Sequence, residues 1–215
     1  MSPFSKHPSS APGFTFIELV VSVSIIGVMS TIFFAGVQLV RERAKIQHCQ
    51  NNLRELGMAF NMYDTYWSGK FPPTANVEED DLRALYPLCA NSLELFICIS
   101  TGNRVDKHED LADNAEGGRS GGIGHSYDYH SYHIFDKAGY ELSQPTLKTR
   151  SMADVTGDIT WLLSDSVESG LSRSPDIRDN HFETGGNVLF ADSHVEWIDA
   201  GHWQATFKAG SSRSW

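Results

Sequence analysis

Gly13-Phe14-Thr15-Phe16-Ile17-Glu18-Leu19-Val20-Val21-Ser22-Val23-Ser24-Ile25-Ile26-Gly27-Val28 opens the apolar part of this 215-residue chain and sets its architecture. From residue 19 to residue 40 no side chain is charged, a run of 22 residues. As a helix rising about 1.5 Å per residue, such a run covers roughly 33 Å. A bilayer hydrocarbon core is about 30 Å thick, so the run predicts one membrane span. A secretory signal peptide would need small residues at a cleavage site after the apolar stretch. Around Ala35 the order is Thr31-Ile32-Phe33-Phe34-Ala35, with bulky Phe33 where a small residue is wanted. The better cleavage point lies before the span, where residues 1–13 are polar and proline-dotted with Lys6 as the one Lys or Arg. Glu18 stands inside the apolar start. A carboxylate at mid-membrane costs about 2.5–3.5 kcal/mol on insertion scales, and less near an interface. Such a residue calls for a partner or for a headgroup to snorkel into.

Outward from the span, Cys49, Leu53, Leu56, Phe60, Tyr63 and Trp67 recur at spacings of four and three. That is one apolar face of an amphipathic helix continuing beyond the membrane. Gly69 and then Pro72-Pro73 end it, so one helix is predicted over 14–67. Beyond it come short strand-like runs at 93–99, 127–135 and 159–164. A hairpin is expected over 187–191 and 194–198, around Asp192-Ser193, and Gly185-Gly186 reads as a turn. The predicted fold is α+β: a long N-terminal helix, transmembrane and then amphipathic, packed on a mainly antiparallel β-sheet. The expected division is a leader at 1–13, a span at 14–40, an amphipathic continuation at 41–68 and a β-rich domain at 69–215.

Composition narrows the function. The net charge is −10 and no long basic run occurs. Nucleic acid is thereby excluded as the main partner, because phosphate binding wants a basic surface. The three cysteines, Cys49, Cys89 and Cys98, form no CxxC pair, and any intrachain pairing leaves one thiol over. Which two pair, or whether all stay free, is left open by the sequence.

The run from Gly13 to Val21, continued by Ser24 to Val28, resembles the processing signal of type IV prepilins and of type II secretion pseudopilins. The resemblance implies that a prepilin peptidase cuts between Gly13 and Phe14 and that the new Phe14 amine is methylated. It implies that Glu18 neutralises the amino terminus of a neighbouring subunit during filament assembly. The partners implied are that peptidase, other pseudopilin subunits and the bacterial inner membrane. The globular part would lie in the periplasm or outside the cell. Arg41, Arg43 and Lys45 after the span outnumber Lys6 before it, which by the positive-inside count alone gives the reverse orientation. The motif is followed here, because the peptidase must meet Gly13 at the cytoplasmic face.

Two further segments resemble a large subfamily abundant in planctomycetes and their relatives. One is Cys49-Gln50-Asn51-Asn52-Leu53-Arg54-Glu55-Leu56-Gly57. The other is the closing motif from His181 through Gly185, Gly186, Asn187 and Asp192 to His194. Here the His181–Asp192 spacing is one residue longer than the subfamily's, and Ser193 stands where glycine is usual.

Candidate ligands are weighed against plainer roles. His125, His130 and His133 share one stretch, and His181, Asp192 and His194 another, without an HExxH or Cys/His zinc spacing. Asp165, Asp176, Asp179 and Asp192 are oxygen donors for a possible calcium ion, as in the C-terminal loop of the major pseudopilins this chain resembles. Without EF-hand spacing the plainer role is turn capping. A His181–Asp192 pair lacks a marked nucleophile and reads as a hydrogen bond tying loop to turn. No GxSxG elbow, Walker loop or Rossmann glycine pattern occurs. Tyr127, Tyr129 and Tyr132 read as packing residues. The expected function is structural: a non-enzymatic subunit of a pseudopilus-like filament. The alternative is a membrane-tethered extracytoplasmic binding module that uses the helix as its anchor.

Overall fold

The computed structural model describes residues 13–74, 80–113, 122–130, 155, 160–166, 180–181 and 184–211. The chain divides into two compact units, Met1–Glu42 and Arg43–Trp215. Helix α1 spans Phe16–Tyr66, 51 residues without a proline. Its first part, Phe16–Phe33, has a mean hydropathy of 2.2, none of it is buried within the chain, and it is long and apolar enough to cross a membrane. The helix ends in a Schellman arrangement. Trp67 N–H donates to the Tyr63 carbonyl at 2.9 Å and Gly69 N–H to the Asp64 carbonyl at 2.7 Å. Ser68 and Gly69 both take positive φ, 58° and 83°, which satisfies the last carbonyls and turns the chain away. Trp67, expected on the buried face, lies in this turn, half-exposed and stacked on Tyr63.

Within the second unit the apolar face of α1 is buried: Cys49, Leu53, Leu56, Ala59, Phe60 and Tyr63. It meets a four-stranded antiparallel sheet of order β1-β2-β3-β4: β1 Tyr127–Tyr129, β2 Trp161–Asp165, β3 Gly185–Phe190 and β4 Val195–Asp199. Strand alternation sorts β3 into two faces. Leu189 joins α1, Leu163 and the β1 tyrosines in the main core, with Phe60 and Tyr129 ring centres 5.4 Å apart. Gly57 lets α1 come close, since a Cβ there would sit 3.0 Å from Leu189 Cδ1. Val188 and Phe190 face the other way, into a second cluster with Trp161, Ile198 and Trp203. Trp203 belongs to helix α2, Ala200–Ser211, which the sequence reading did not anticipate. Its indole is fully buried edge-on to Trp161, with 5.0 Å between ring centres. Burial of each such large side chain contributes about 1.5–3 kcal/mol.

Three expectations are corrected. Residues 93–99 form no strand. A 3-10 turn, Leu93–Phe96, begins where Ser92 Oγ accepts the Glu94 N–H at 3.2 Å. The Ile97 carbonyl is then taken by Asn52 Nδ2 of α1 at 3.0 Å, so local and helix-derived bonds replace a strand ladder. Gly185-Gly186 is no turn but the start of β3. A Cβ on Gly185, at φ 147°, would lie 2.3 Å from the Ile198 carbonyl, and one on Gly186 would lie 2.8 Å from the Trp203 ring. The glycines admit β4 and α2. The hairpin loop has three residues rather than two: Ser193 N–H donates to the Phe190 carbonyl and Phe190 N–H to the His194 carbonyl, each at 2.9 Å. That is a turn followed by a left-handed residue, and Ser193 takes it at φ 72°. Asn61 Nδ2 of α1 donates to Ser193 Oγ at 2.8 Å and helps hold it there. Of the run expected over 127–135, Tyr127–Tyr129 form β1 and His130 lies past its end, while 131–135 lie outside the described residues.

Candidate functional site

At the N-terminal end, Gly13, Phe14 and Thr15 precede the first helical residue. Thr15 caps the helix. Glu18 Oε2 accepts the Thr15 N–H at 2.8 Å and the Thr15 hydroxyl at 2.7 Å, and the Glu18 N–H donates to Thr15 Oγ1 at 3.3 Å. This is a capping box, T-x-x-E, which satisfies orphan amides of the first turn and places a negative charge at the positive end of the helix. Phe14 is 88% exposed and Phe16 82%. Ile17, Leu19, Val20, Val21, Val23, Ile25, Ile26 and Val28 are exposed as well, so among the described residues nothing covers the apolar surface of this segment. Its hydroxyls are turned inward on the backbone. Ser22, Ser24 and Ser30 donate to the carbonyls four residues back, at 2.7, 2.8 and 2.7 Å, and Thr31 to the Val28 carbonyl at 2.8 Å. Gly13, Phe14 and Glu18 were marked by the resemblance of their segment to a prepilin processing signal. The capping role of Thr15 was readable from the same T-x-x-E and was overlooked beside the charge of Glu18.

In the second unit the closing motif converges on a buried polar knot. Asp165, at the end of β2, is its hub. Its Oδ2 accepts the Asn187 N–H at 2.6 Å and Asn187 Nδ2 at 2.9 Å, while Oδ1 accepts from Asn180 Nδ2 at 3.2 Å. Asn180 Nδ2 also donates to the Ser126 carbonyl at 2.8 Å. His181 lies alongside, with Nδ1 3.1 Å from Ser100 Oγ, Nε2 3.4 Å from Cys98 Sγ and 3.5 Å from Asp165 Oδ2. Cys98 is disulfide-bonded to Cys49 of α1, Cα to Cα 5.3 Å, which closes the question the sequence left open. Cys89 is the free thiol, and burial raises its pKa. The knot ties α1, β2, β3 and the 180–181 turn together with every principal polar side chain buried.

The candidate calcium ligands do not converge as a group. Asp165 sits at the Asn187 end of the β2–β3 ladder, whereas Asp192 follows the opposite end, where Trp161 pairs with Phe190. Asp192 is exposed, and its Oδ1 takes the His194 N–H at 3.1 Å and the His194 ring. Asp176 and Asp179 lie outside the described residues. The expected His181–Asp192 hydrogen bond is replaced by two separate pairs, His181–Asp165 and His194–Asp192. His194 stacks on Phe190, with ring centres 4.1 Å apart. Among the candidate histidines, His125 Nε2 bonds the Asp80 carbonyl while His130 Nε2 meets Ser164 Oγ at 2.9 Å, so the two diverge. His133 and Tyr132 lie outside the described residues; Tyr127 and Tyr129 are core.

The sequence reading missed Asp80 altogether. Its Oδ1 accepts the Tyr129 N–H at 2.8 Å, and burial, with the Asp128 carboxylate nearby, pushes its pKa up to about 8. Burial lowers His125 to about 4. Comparison with known proteins finds no family model, no curated protein and no solved structure that matches this chain.

Proposed function

We propose that this chain is a pilin-like structural subunit, a pseudopilin processed between Gly13 and Phe14 and assembled laterally through the apolar half of α1. The observation that carries the reading is the fully uncovered apolar segment Phe16–Phe33, with Glu18 as its one acid, continuous in one helix with a face that enters a folded core. A helix of this kind needs lipid or other helices around it. In lipid, packing and paired polar groups drive association, since lipid tails offer no hydrophobic gain. The inward-turned hydroxyls of Ser22, Ser24, Ser30 and Thr31 suit that setting, where an unsatisfied donor costs several kcal/mol.

Processing would leave the Phe14 amine one helical turn before Glu18. In the uncut chain the carboxylate is held by Thr15. In the filament the amine of an adjacent subunit would replace or share that contact and fix axial register. Because Glu18 also caps its own helix, two substitutions are compared in cells that assemble the filament. Glu18→Leu removes cap and charge; Glu18→Gln keeps an acceptor for Thr15 and removes only the charge. Both variants should insert into the membrane at wild-type levels and be missing from filaments. If Glu18→Gln enters filaments as the wild type does, the ion-pair role is wrong. Monomers carrying a tightly held ligand, with no filament, would instead favour the tethered binding module.

A further inference from the structure

Among the described residues, Cys49, Cys98 and His181 bring two sulfur atoms and an imidazole nitrogen within 4.8 Å of one another, all buried. Asp165 Oδ2 lies 3.5 Å from His181 Nε2. We propose that the dithiol form of this chain holds one Zn²⁺ between Cys49 Sγ, Cys98 Sγ, His181 Nε2 and Asp165 Oδ2, and that forming the disulfide expels it. The pilin-like reading neither requires nor predicts this site.

Two edges of the tetrahedron, both at His181 Nε2, already have the lengths a zinc site needs. Zinc binds thiolate at about 2.3 Å, imidazole at about 2.0–2.1 Å and carboxylate at about 2.0–2.2 Å, which sets sulfur–nitrogen edges near 3.6 Å and nitrogen–oxygen edges near 3.4 Å. The corresponding separations are 3.4 Å for Cys98 Sγ to His181 Nε2 and 3.5 Å for His181 Nε2 to Asp165 Oδ2. With Cα atoms 5.3 Å apart, side-chain rotation can part the two sulfurs once the bond between them is opened.

The surroundings also orient the donors. In the tautomer whose Nδ1–H donates to Ser100 Oγ, Nε2 is the unprotonated nitrogen, 3.4 Å from Cys98 Sγ, 3.5 Å from Asp165 Oδ2 and 3.4 Å from Asn187 Nδ2, whose amide the metal would displace from it. Asn187 and Asn180 hold Asp165 by three donors. This is the outer-shell support that ligating imidazoles and carboxylates ordinarily have. Four protein ligands with no open position make a structural rather than a catalytic zinc centre.

The redox step balances through thiol–disulfide exchange. An oxidant of the disulfide class takes two electrons from the two thiolates and leaves as two thiolates that take up two protons from water, the Cys49–Cys98 bond forms, and Zn²⁺ departs. In the reverse direction a dithiol or phosphine reductant supplies two electrons. The resulting pair of thiols loses two protons as the metal binds.

The test uses the purified full chain in detergent, as the disulfide form and after phosphine reduction with the reductant removed. Zinc uptake is read by competition with a chromophoric chelator, and Co²⁺ substitution reports the ligand field. The reduced chain should bind one zinc per molecule, give a tetrahedral thiolate–cobalt spectrum and melt higher with metal than without. The disulfide form should bind none. Cys89→Ser should leave uptake unchanged, whereas Cys49→Ser/Cys98→Ser should abolish it. Ser100→Ala should weaken it about 10- to 100-fold, the range for loss of a partner that orients a ligating imidazole. Equal uptake by the disulfide form, no stoichiometric uptake by the reduced form, or loss of uptake in Cys89→Ser would each overturn the proposal. So would a reduced chain that unfolds and is not refolded by zinc. Because the comparison of the disulfide and reduced forms needs no substitution, a misfolded variant leaves the outcome decided.

Discussion

Replacing Cys49 and Cys98 together by alanine should lower the stability of the second unit by about 4 kcal/mol. The figure follows from the sequence separation of 49 residues between the two. Cross-linking a loop of that length removes roughly 14 cal/mol/K of chain entropy from the unfolded state, or about 4 kcal/mol at 25 °C. For a folded unit of this size each kcal/mol moves the melting temperature by about 2–4 °C, so a drop of roughly 8–16 °C is expected. The assay is thermal unfolding of the full chain in detergent, followed by near-ultraviolet circular dichroism, which reports the tryptophans of the second cluster. Intact-mass measurement first establishes that the wild type lacks two hydrogens relative to its reduced form. Reduced, metal-free wild type should melt close to the double alanine variant, because both have lost the same loop constraint. A change smaller than about 3 °C in both would refute the entropic reasoning, since constraint of a loop this long cannot be worth so little unless the unfolded chain is already held together.

Trp203→Ala should cost about 3–5 kcal/mol, the usual range for emptying a buried aromatic site, and should release α2 from the sheet; amide hydrogen exchange would show lost protection over Ala200–Ser211 with β2 and β3 still protected. Two buried groups set opposite pH dependences. His125, lowered to about 4 from 6.5, makes stability fall as pH drops through that window, because there the unfolded chain binds the extra proton. Asp80, raised to about 8 from 3.8, keeps its proton in the fold where the unfolded chain has lost it, so its contribution is full below 3.8 and is lost as pH rises toward 8. Between pH 6.5 and 8 Asp80 is the group among the described residues that acts in this way, so the wild type should melt lower at pH 8 than at 6.5. Asp80→Asn, which retains an acceptor for the Tyr129 N–H, should flatten that difference; a persisting difference would point to another group.

The signals that were long in sequence were legible. An uncharged run at 19–40 and a four-and-three apolar repeat from Cys49 to Tyr63 both read as one helix, because each residue adds to the same periodicity. The β3–β4 hairpin was legible from alternation around Asp192-Ser193. What failed was decided by atoms distant in sequence. The 93–99 run has the apolar content of a strand, yet Asn52 of α1 takes its carbonyl. Gly185-Gly186 has the composition of a turn, yet the pair is set by Trp203 and the β4 backbone. Helix α2 is short and contains Gly201 and Gly210, so its periodicity is weak, and among its described side chains the buried one is the Trp203 indole. The site divides in the same way. Gly13, Phe14 and Glu18 belong to one contiguous motif. The knot of Cys49, Cys98, Asp165, His181 and Asn187 is assembled from five separate segments, and nothing local to His181 says that Asp165 rather than Asp192 stands beside it.

The claim on which the functional account rests is that the chain loses residues 1–13 and exposes an amine at Phe14. Mass spectrometry of the protein extracted from the membranes of its native cell reads that terminus directly. The account predicts a mature chain that begins at N-methylated Phe14. A membrane-extracted chain that still carries Met1 to Gly13 would contradict it, because Glu18 would then have no liberated amine to meet.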